Sequence, residues 1–348
     1  MKGEFGSAEA ENSNLKEPAH MEIVHKSVLL EECLSYLSPA GEPFESDAFM
    51  IDSTLGEGGH TFAFLSKYPS LRIKGLDADA VIQSRARQRL SVFGDRIEFY
   101  NGWFSDFYKD FDFNTRRPDL ILFDLGISVF HYERSGRGFS FRHDEPLDMR
   151  LNPLTEENAC DIVNGWDEKR LADMIYTYSD ERYSRVIARA ICEKRVSSKI
   201  NSTLALADII YNAVPAKYRH GAIHPATRTF QALRIQVNGE LRRLPSSLHD
   251  AFNVLKEGGK MGVITFHSLE DRIVKNYFRN LSKECVCPPQ NPVCTCGGTP
   301  CAELLTRKGV EPSEEEVREN SPSRSARLRC IRKIKDAGSE RLSGVCAL

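Results

Sequence analysis

No apolar run in the 348 residues approaches the ~18 needed to cross a bilayer, and the first residues lack the hydrophobic segment of an export signal. Membrane insertion and secretion are therefore disfavoured, and a cytoplasmic protein with no membrane partner is expected. Net charge is also scarce. The 47 Lys and Arg nearly cancel the 49 Asp and Glu, which excludes a general basic coat for nucleic acid but leaves room for a local patch. The glycine-rich turn near residue 56 has no Gly-Lys-Ser/Thr ending, so it lacks the lysine and hydroxyl with which a P-loop holds phosphate and magnesium. The ten cysteines agree with reduced thiols, since Cys33, Cys160 and Cys192 stand alone in helical patterns as small apolar core residues.

What is present begins with the apolar segment 49–51, which ends in Asp52 and runs into Gly56-Glu-Gly-Gly-His60 before a helical pattern. Glycine is needed where a ligand approaches the backbone closely or a tight turn uses positive φ. A second apolar segment ends at Asp77, about 20 residues on, the distance at which an acidic residue grips ribose hydroxyls. The glycines miss the third position of the dinucleotide fingerprint, and Asp52 and Glu57 put negative charge where a pyrophosphate would want none. S-adenosylmethionine, a cation without phosphate, fits better than NAD. A strand-to-helix turn with no ligand is the plain alternative.

Residues 1–20, polar and poor in apolar side chains, read as a disordered extension. Strands are expected at 48–52, 72–76, 96–100, 119–124 and 260–266, with helical patterns at about 60–68, 78–91 and 244–256 between them. This is the rhythm of an α/β fold with a doubly wound, Rossmann-like parallel sheet. The long, mostly helical stretch between the fourth and fifth strands exceeds any crossover. It defines an inserted helical domain over 136–238, within a discontinuous domain of 21–135 and 239–335, followed by a flexible tail over 336–348. In such sheets ligands bind beyond the carboxyl ends of the strands, where Gly58, Gly59, His60, Asp77, Trp103, Phe104, Asp124, His267 and Ser268 fall.

The blocks Asp52-Ser-Thr-Leu-Gly-Glu-Gly-Gly-His60, Phe123-Asp-Leu-Gly-Ile-Ser128, the segment Gly136 to Arg150, His224-Pro-Ala-Thr-Arg-Thr-Phe-Gln-Ala-Leu-Arg-Ile235 and Thr265-Phe-His-Ser-Leu-Glu-Asp-Arg272 occur in order across about 24–335. This pattern resembles the bacterial small-subunit (16S) rRNA cytosine-N4 methyltransferase family. The resemblance implies a class I S-adenosylmethionine methyltransferase domain with an inserted helical substrate domain. Its substrate would be a decoding-centre cytidine in 16S rRNA or the small ribosomal subunit, and a homodimer is admitted. Cofactor contacts would fall on Gly58, Gly59, His60, Asp77, Phe104 and Asp124. The usual Ser-Ser-Pro-Gln is Ser128-Val-Phe-His131 here, which hands the glutamine's contact to His131.

Methylating a cytosine N4 requires an acceptor for its N–H groups as the nitrogen pyramidalises. Asp124 and Asp148 are the candidates, Asp148 being equally readable as a partner of Arg150. His267 and Ser268 are expected to line the substrate pocket. Phe139 and Phe141 are expected to stack on the extruded base, and Arg228, Arg234, Arg242 and Arg243 to bind phosphate, together with a basic tail over 324–335 that includes Arg324, Arg327, Arg329, Arg332 and Lys333 and has no acid of its own to neutralise it. Without these roles the site would be a non-catalytic RNA- or nucleotide-binding module, or an NAD-dependent dehydrogenase. Finally, Cys285, Cys287, Cys294 and Cys296 form two C-x-C pairs, readable as a zinc site or as a loop of reduced thiols.

Overall fold

A computed structural model of the chain describes residues 26–39, 47–287, 290, 292–294, 298–342 and 345. The expected extension over 1–20 lies outside the described residues. Five short apolar segments form parallel strands, β1 Phe49–Asp52, β2 Arg72–Asp77, β3 Ile97–Asn101, β4 Leu120–Asp124 and β5 Lys260–Thr265, each within one residue of the expected bounds. Two further strands, β6 Ala302–Leu304 and β7 Arg327–Lys333, complete a sheet of order β3-β2-β1-β4-β5-β7-β6, in which β7 runs antiparallel to both neighbours. This is the doubly wound α/β sheet that the sequence led us to expect, with an antiparallel strand added at one side. Its order reverses between β1 and β4, opening a crevice beyond the carboxyl ends of the strands.

The central strands are apolar on both faces because helices cover both. On one side the helices Leu30–Tyr36, Gly59–Lys67 and Ala80–Leu90 bury Leu34, Phe64 and Ala86 against Met50, Ile73 and Leu122. On the other, Glu240–Val254 and Ser268–Ser282 bury Leu248, Phe252, Ile273 and Tyr277 against Ile51, Ile121 and Val263. Between β4 and β5 the helices Ala159–Gly165, Glu168–Ser179, Ser184–Ser197, Thr203–Ala213 and Ala226–Asn238 pack around a core of their own, including Ile162, Leu171, Ile187, Leu206 and Phe230. Local sequence starts several of these helices. Asn158 and Asp161 form a reciprocal capping box, and Asp167 and Ser202 accept bonds from Arg170 N–H and Ala205 N–H. Among the described residues no helix is long and apolar enough to cross a membrane.

β7 corrects a reading of the sequence. Its run of arginines, read as an RNA-binding tail with no acid to neutralise it, is a strand inside the sheet. Leu328 and Cys330 pack on one face and Ile331 on the other. Acids answer the charges one by one: Glu311 pairs with Arg327, Asp271 with buried Arg329, Glu303 with Arg332 and Asp336 with Lys333. Residues 336–342, expected to be flexible, also pack. Asn253 exchanges two hydrogen bonds with the Ala337 backbone, and the Arg341 guanidinium is wholly buried.

Lys333 is the most demanding member of this strand. Its ammonium is buried and donates to the carbonyls of Phe252, Asn253 and Leu255 at 2.7–2.8 Å, closing the carboxyl end of the helix Glu240–Val254. A cation there satisfies carbonyls that the helix leaves unpaired and complements its dipole. Lys333→Met should therefore cost about 2–4 kcal/mol, since it strands several buried acceptors at once. Urea denaturation measures this; a loss below ~1 kcal/mol would show that the carbonyls find other partners.

Candidate active site

The turn after β1 is shaped by glycine and held by carboxylates. Gly56 and Gly58 adopt φ of +54° and +77°. Gly59 opens the helix Gly59–Lys67, and a Cβ on it would fall 2.1 Å from Ser27 Oγ. Asp77, at the end of β2, accepts the Gly56 N–H through Oδ2 and the Asp79 N–H through Oδ1, both at 2.8 Å. It thus ties the turn of one strand to the end of the next. Asp52 accepts the Thr61 hydroxyl at 2.7 Å.

These elements wall a cleft at the switch point, lined among others by Glu57, Gly59, His60, Asp77, Trp103, Phe104, Asp124, His131, Arg243 and Glu270. Negative charge dominates it. Burial pushes Asp52 up to about 6 and Asp77 up to about 7, and lifts Asp124 well above the usual carboxylate range, with Asp52 and Glu270 adding to the last. The Asp124 side chain is only 14% exposed, and its Oδ1 is buried without a hydrogen-bond partner. His60 donates through Nε2 to the Val28 carbonyl at 3.0 Å, which turns Nδ1 to within 3.6 Å of Asp124 Oδ2. Phe104 stands edge-on to Phe123, and Trp103 lies under the Arg243 guanidinium at 4.5 Å. A pyrophosphate would meet carboxylates here; a cation bearing hydroxyl and ammonium donors would find acceptors.

His131 lines the cleft but is engaged from behind. Its Nε2 lies 2.9 Å from Asp79 Oδ2, and burial lowers its pKa. The neutral ring donates that proton to Asp79, so its buried, unpartnered Nδ1 is an acceptor. Asp79 also receives Arg137; burial raises its pKa, but bonds from His131 and Arg137 outweigh that and hold it down to about 2.

Elsewhere the structure separates residues that the sequence reading had grouped. Asp148 is not in the cleft: both its oxygens take the Arg150 guanidinium at 2.8 Å, and its pKa is held low as burial is outweighed by that partner. Phe139 is buried against His131 in the core of the inserted helices, whereas Phe141 is only partly buried and packs on Phe230 and His224 beside that core. Arg234 is buried in a bidentate pair with Glu240. Arg228 is half-buried, donating weakly to the Asp180 carbonyl at 3.3 Å. His267 caps the helix Ser268–Ser282 in a box with Glu270. It lines a second groove with Ser268, Arg324 and Arg327, in which Arg272, Lys275, Arg324 and Arg327 outnumber Asp271 and Glu311. Phe266 borders both the groove and the cleft. Cys285, Cys287 and Cys294 gather at the far end of that helix, whereas Cys296 lies outside the described residues.

Several residues in or behind the cleft are not singled out by the sequence alone. Asp79 was legible as the N-cap it is, in Asp77-Ala-Asp-Ala80 before a helical run. Arg137, Asn238 and Glu270 gave no local signal, because only the fold brings them there.

Comparison with known proteins agrees with this geometry. The sequence profile of the MraW methylase family matches residues 22–334. A protein of Treponema denticola named ribosomal RNA small subunit methyltransferase H is 59% identical over 314 residues, covering 90% of this chain and 98% of its own length. Proteins of the same name from Treponema pallidum and Carboxydothermus hydrogenoformans are 42% and 43% identical, over 94% and 91% of this chain and 96% and 100% of theirs.

The raised pKa of Asp77 gives the cleft a pH signature. A ligand that donates hydroxyls to Asp77 prefers the ionised carboxylate. The folded protein holds this proton at pH 6 and loses it through about 7, so affinity should rise from pH 6 to 8 with proton release on binding. Calorimetry with S-adenosylmethionine in buffers of differing ionisation enthalpy reads both. Asp77→Asn should abolish this proton release and weaken binding by about 1.5–3 kcal/mol. Equal affinity and equal proton release in the variant would remove Asp77 from the site.

Proposed function

The chain belongs to the MraW methylase family and is a methyltransferase; from that premise we propose that it methylates rRNA of the small ribosomal subunit, at the exocyclic N4 of a decoding-centre cytidine in 16S rRNA. The observation that carries this reading is Asp124, a nearly buried carboxylate at the end of β4 with one oxygen unpartnered beside the glycine turn.

S-adenosylmethionine supplies a methyl group on a positively charged sulfur. The residues that would hold it are the turn Gly56–Gly59 with its open backbone, Asp77 for the ribose hydroxyls, Phe104 and Trp103 beside the adenine, and His131 Nδ1 as an acceptor. Carboxyl groups gathered at the strand ends favour a cationic ligand, whose field returns Asp77 and Asp124 toward the ionised state.

Asp124 then serves the target base. The N4 lone pair of cytosine is conjugated into the ring, so the amine becomes nucleophilic only as its N–H bonds bend out of plane toward an acceptor. An ionised Asp124 accepts one of them and takes the proton that the amine loses on gaining carbon. A carboxylate of raised pKa suits that task better than an ordinary one. The inserted helices over 136–238 form the substrate side of the cleft, with Arg228 on their surface. The groove of His267, Ser268, Arg324 and Arg327 lies where the RNA strand flanking the base would run.

Mass mapping of 16S rRNA from a deletion strain tests the reaction. Loss of one N4-methylated cytidine, restored by the wild-type gene, is expected; loss of a ring-carbon or ribose methyl instead would refute the assignment. Asp124→Asn tests the mechanism. It preserves shape, removes the charge and adds a donor, so kcat should fall at least ~100-fold while S-adenosylmethionine affinity changes little. Near-normal turnover at saturating S-adenosylmethionine would remove Asp124 as the acceptor.

A further inference from the structure

The loop from the helix Ser268–Ser282 to β6 carries thiols that the transfer reaction does not use. The Sγ atoms of Cys285 and Cys294 are 3.7 Å apart and those of Cys287 and Cys294 are 4.0 Å apart, and all three lie within 4.8 Å of one another. A disulfide places its sulfurs about 2.05 Å apart, so these are separate thiols. Thiolates at about 2.3 Å from a tetrahedral zinc ion have sulfur–sulfur edges of about 3.8 Å, the spacing found here.

The described part of the loop has no regular structure and no core. Among its described residues from Cys285 to Gly298 there is no helix or strand, none is buried, and Val293 is 71% exposed. Its two ends, by contrast, are firmly tied. Buried Arg341 donates to the carbonyls of Asn280 and Lys283 at 2.7 Å and of Thr299 at 2.8 Å, and Cys301 N–H donates to the Leu281 carbonyl at 2.7 Å. A short loop closed at its base, without an apolar core, is the setting in which a metal does the work of a core.

We infer that Cys285, Cys287 and Cys294 are thiolate ligands of a structural zinc ion. Soft sulfur donors in tetrahedral spacing select zinc over the oxygen-seeking cations. Binding releases the thiol protons and leaves one coordination position to a further donor. The helix Ser268–Ser282, 15 residues long, separates this centre from the substrate groove by about 22 Å at 1.5 Å per residue. The ion therefore orders the loop and takes no part in methyl transfer, and the inference stands independently of the proposed reaction.

Elemental analysis of the full chain, purified under reducing conditions without chelator, should find about one zinc per chain. The triple variant Cys285→Ser, Cys287→Ser, Cys294→Ser should hold less than about a tenth of that, while Cys192→Ser keeps it all. Cobalt replacing zinc in the wild type should give the thiolate charge-transfer and visible bands of a tetrahedral sulfur site, a readout that needs no variant to fold. S-adenosylmethionine affinity of the triple variant should stay within about twofold, and its loop should be cut by protease at least ~10-fold faster. Absence of metal, iron or copper in its place, zinc retained by the triple variant, or a disulfide among these cysteines would each overturn the inference.

Discussion

Carboxylates withdrawn from bulk water at the ends of adjacent parallel strands are the constraint around which this molecule is arranged. Asp52, Asp77 and Asp124 end β1, β2 and β4, and desolvation raises the proton affinity of each, with neighbouring carboxylates adding to it at Asp77 and Asp124. Such a grouping survives only because backbone amides and hydroxyls are spent on it: Gly56 and Asp79 N–H on Asp77, Thr61 and Thr54 on Asp52. Those bonds set the path of the glycine turn. The turn in turn requires residues without side chains at Gly58 and Gly59, where Leu90 and Ser27 already occupy the space. The electrostatic cost of gathering these carboxyl groups would be relieved by a positively charged occupant.

The inserted helices are joined to this arrangement through polar contacts at their base. Arg137 reaches from the start of the insertion to Asp79, while its other nitrogen donates to the carbonyls of Arg150 and Leu151 at 2.9 and 3.1 Å. Asn238, at the last turn of the helix Ala226–Asn238, accepts from Leu151 N–H and donates to the Met149 carbonyl. Met149 sits in the left-handed region with φ of +61°, a conformation that a long side chain adopts only where its surroundings impose it. The base of the inserted helices and the loop around Asp79 are therefore joined by a few hydrogen bonds.

The parallel strands were legible in the sequence because each is a short apolar run ended by a turn or an acid, and the cleft was legible because its acids and glycines stand at strand ends. What could not be read was pairing at a distance. Arg327 to Lys333 looked like a basic tail because Asp271, Glu303 and Asp336, which answer its charges, belong to other elements or follow it. Phe139 looked like a stacking partner because an aromatic in a loop reads the same whether it faces a base or His131. Asp148 was readable both ways, since the partner that claims it, Arg150, is two residues away. Charge and aromaticity show what a residue is able to do, and only the fold shows whether that capacity has already been spent.

The position of β7 has a consequence for the order of assembly. This strand lies between β5 and β6 yet follows both in the chain, so β5 has a bare edge until β7 arrives. During synthesis the inserted helices, whose contacts are mostly local, emerge and can fold while the sheet beside them is still open. The exposed rim of β5 is a template for pairing with any extended segment, and it is closed by antiparallel addition of a strand whose arginines must find Asp271 and Glu303 in register. Until β7 adds, the edge of β5 is the part of the nascent sheet open to pairing with a chaperone or a second nascent chain.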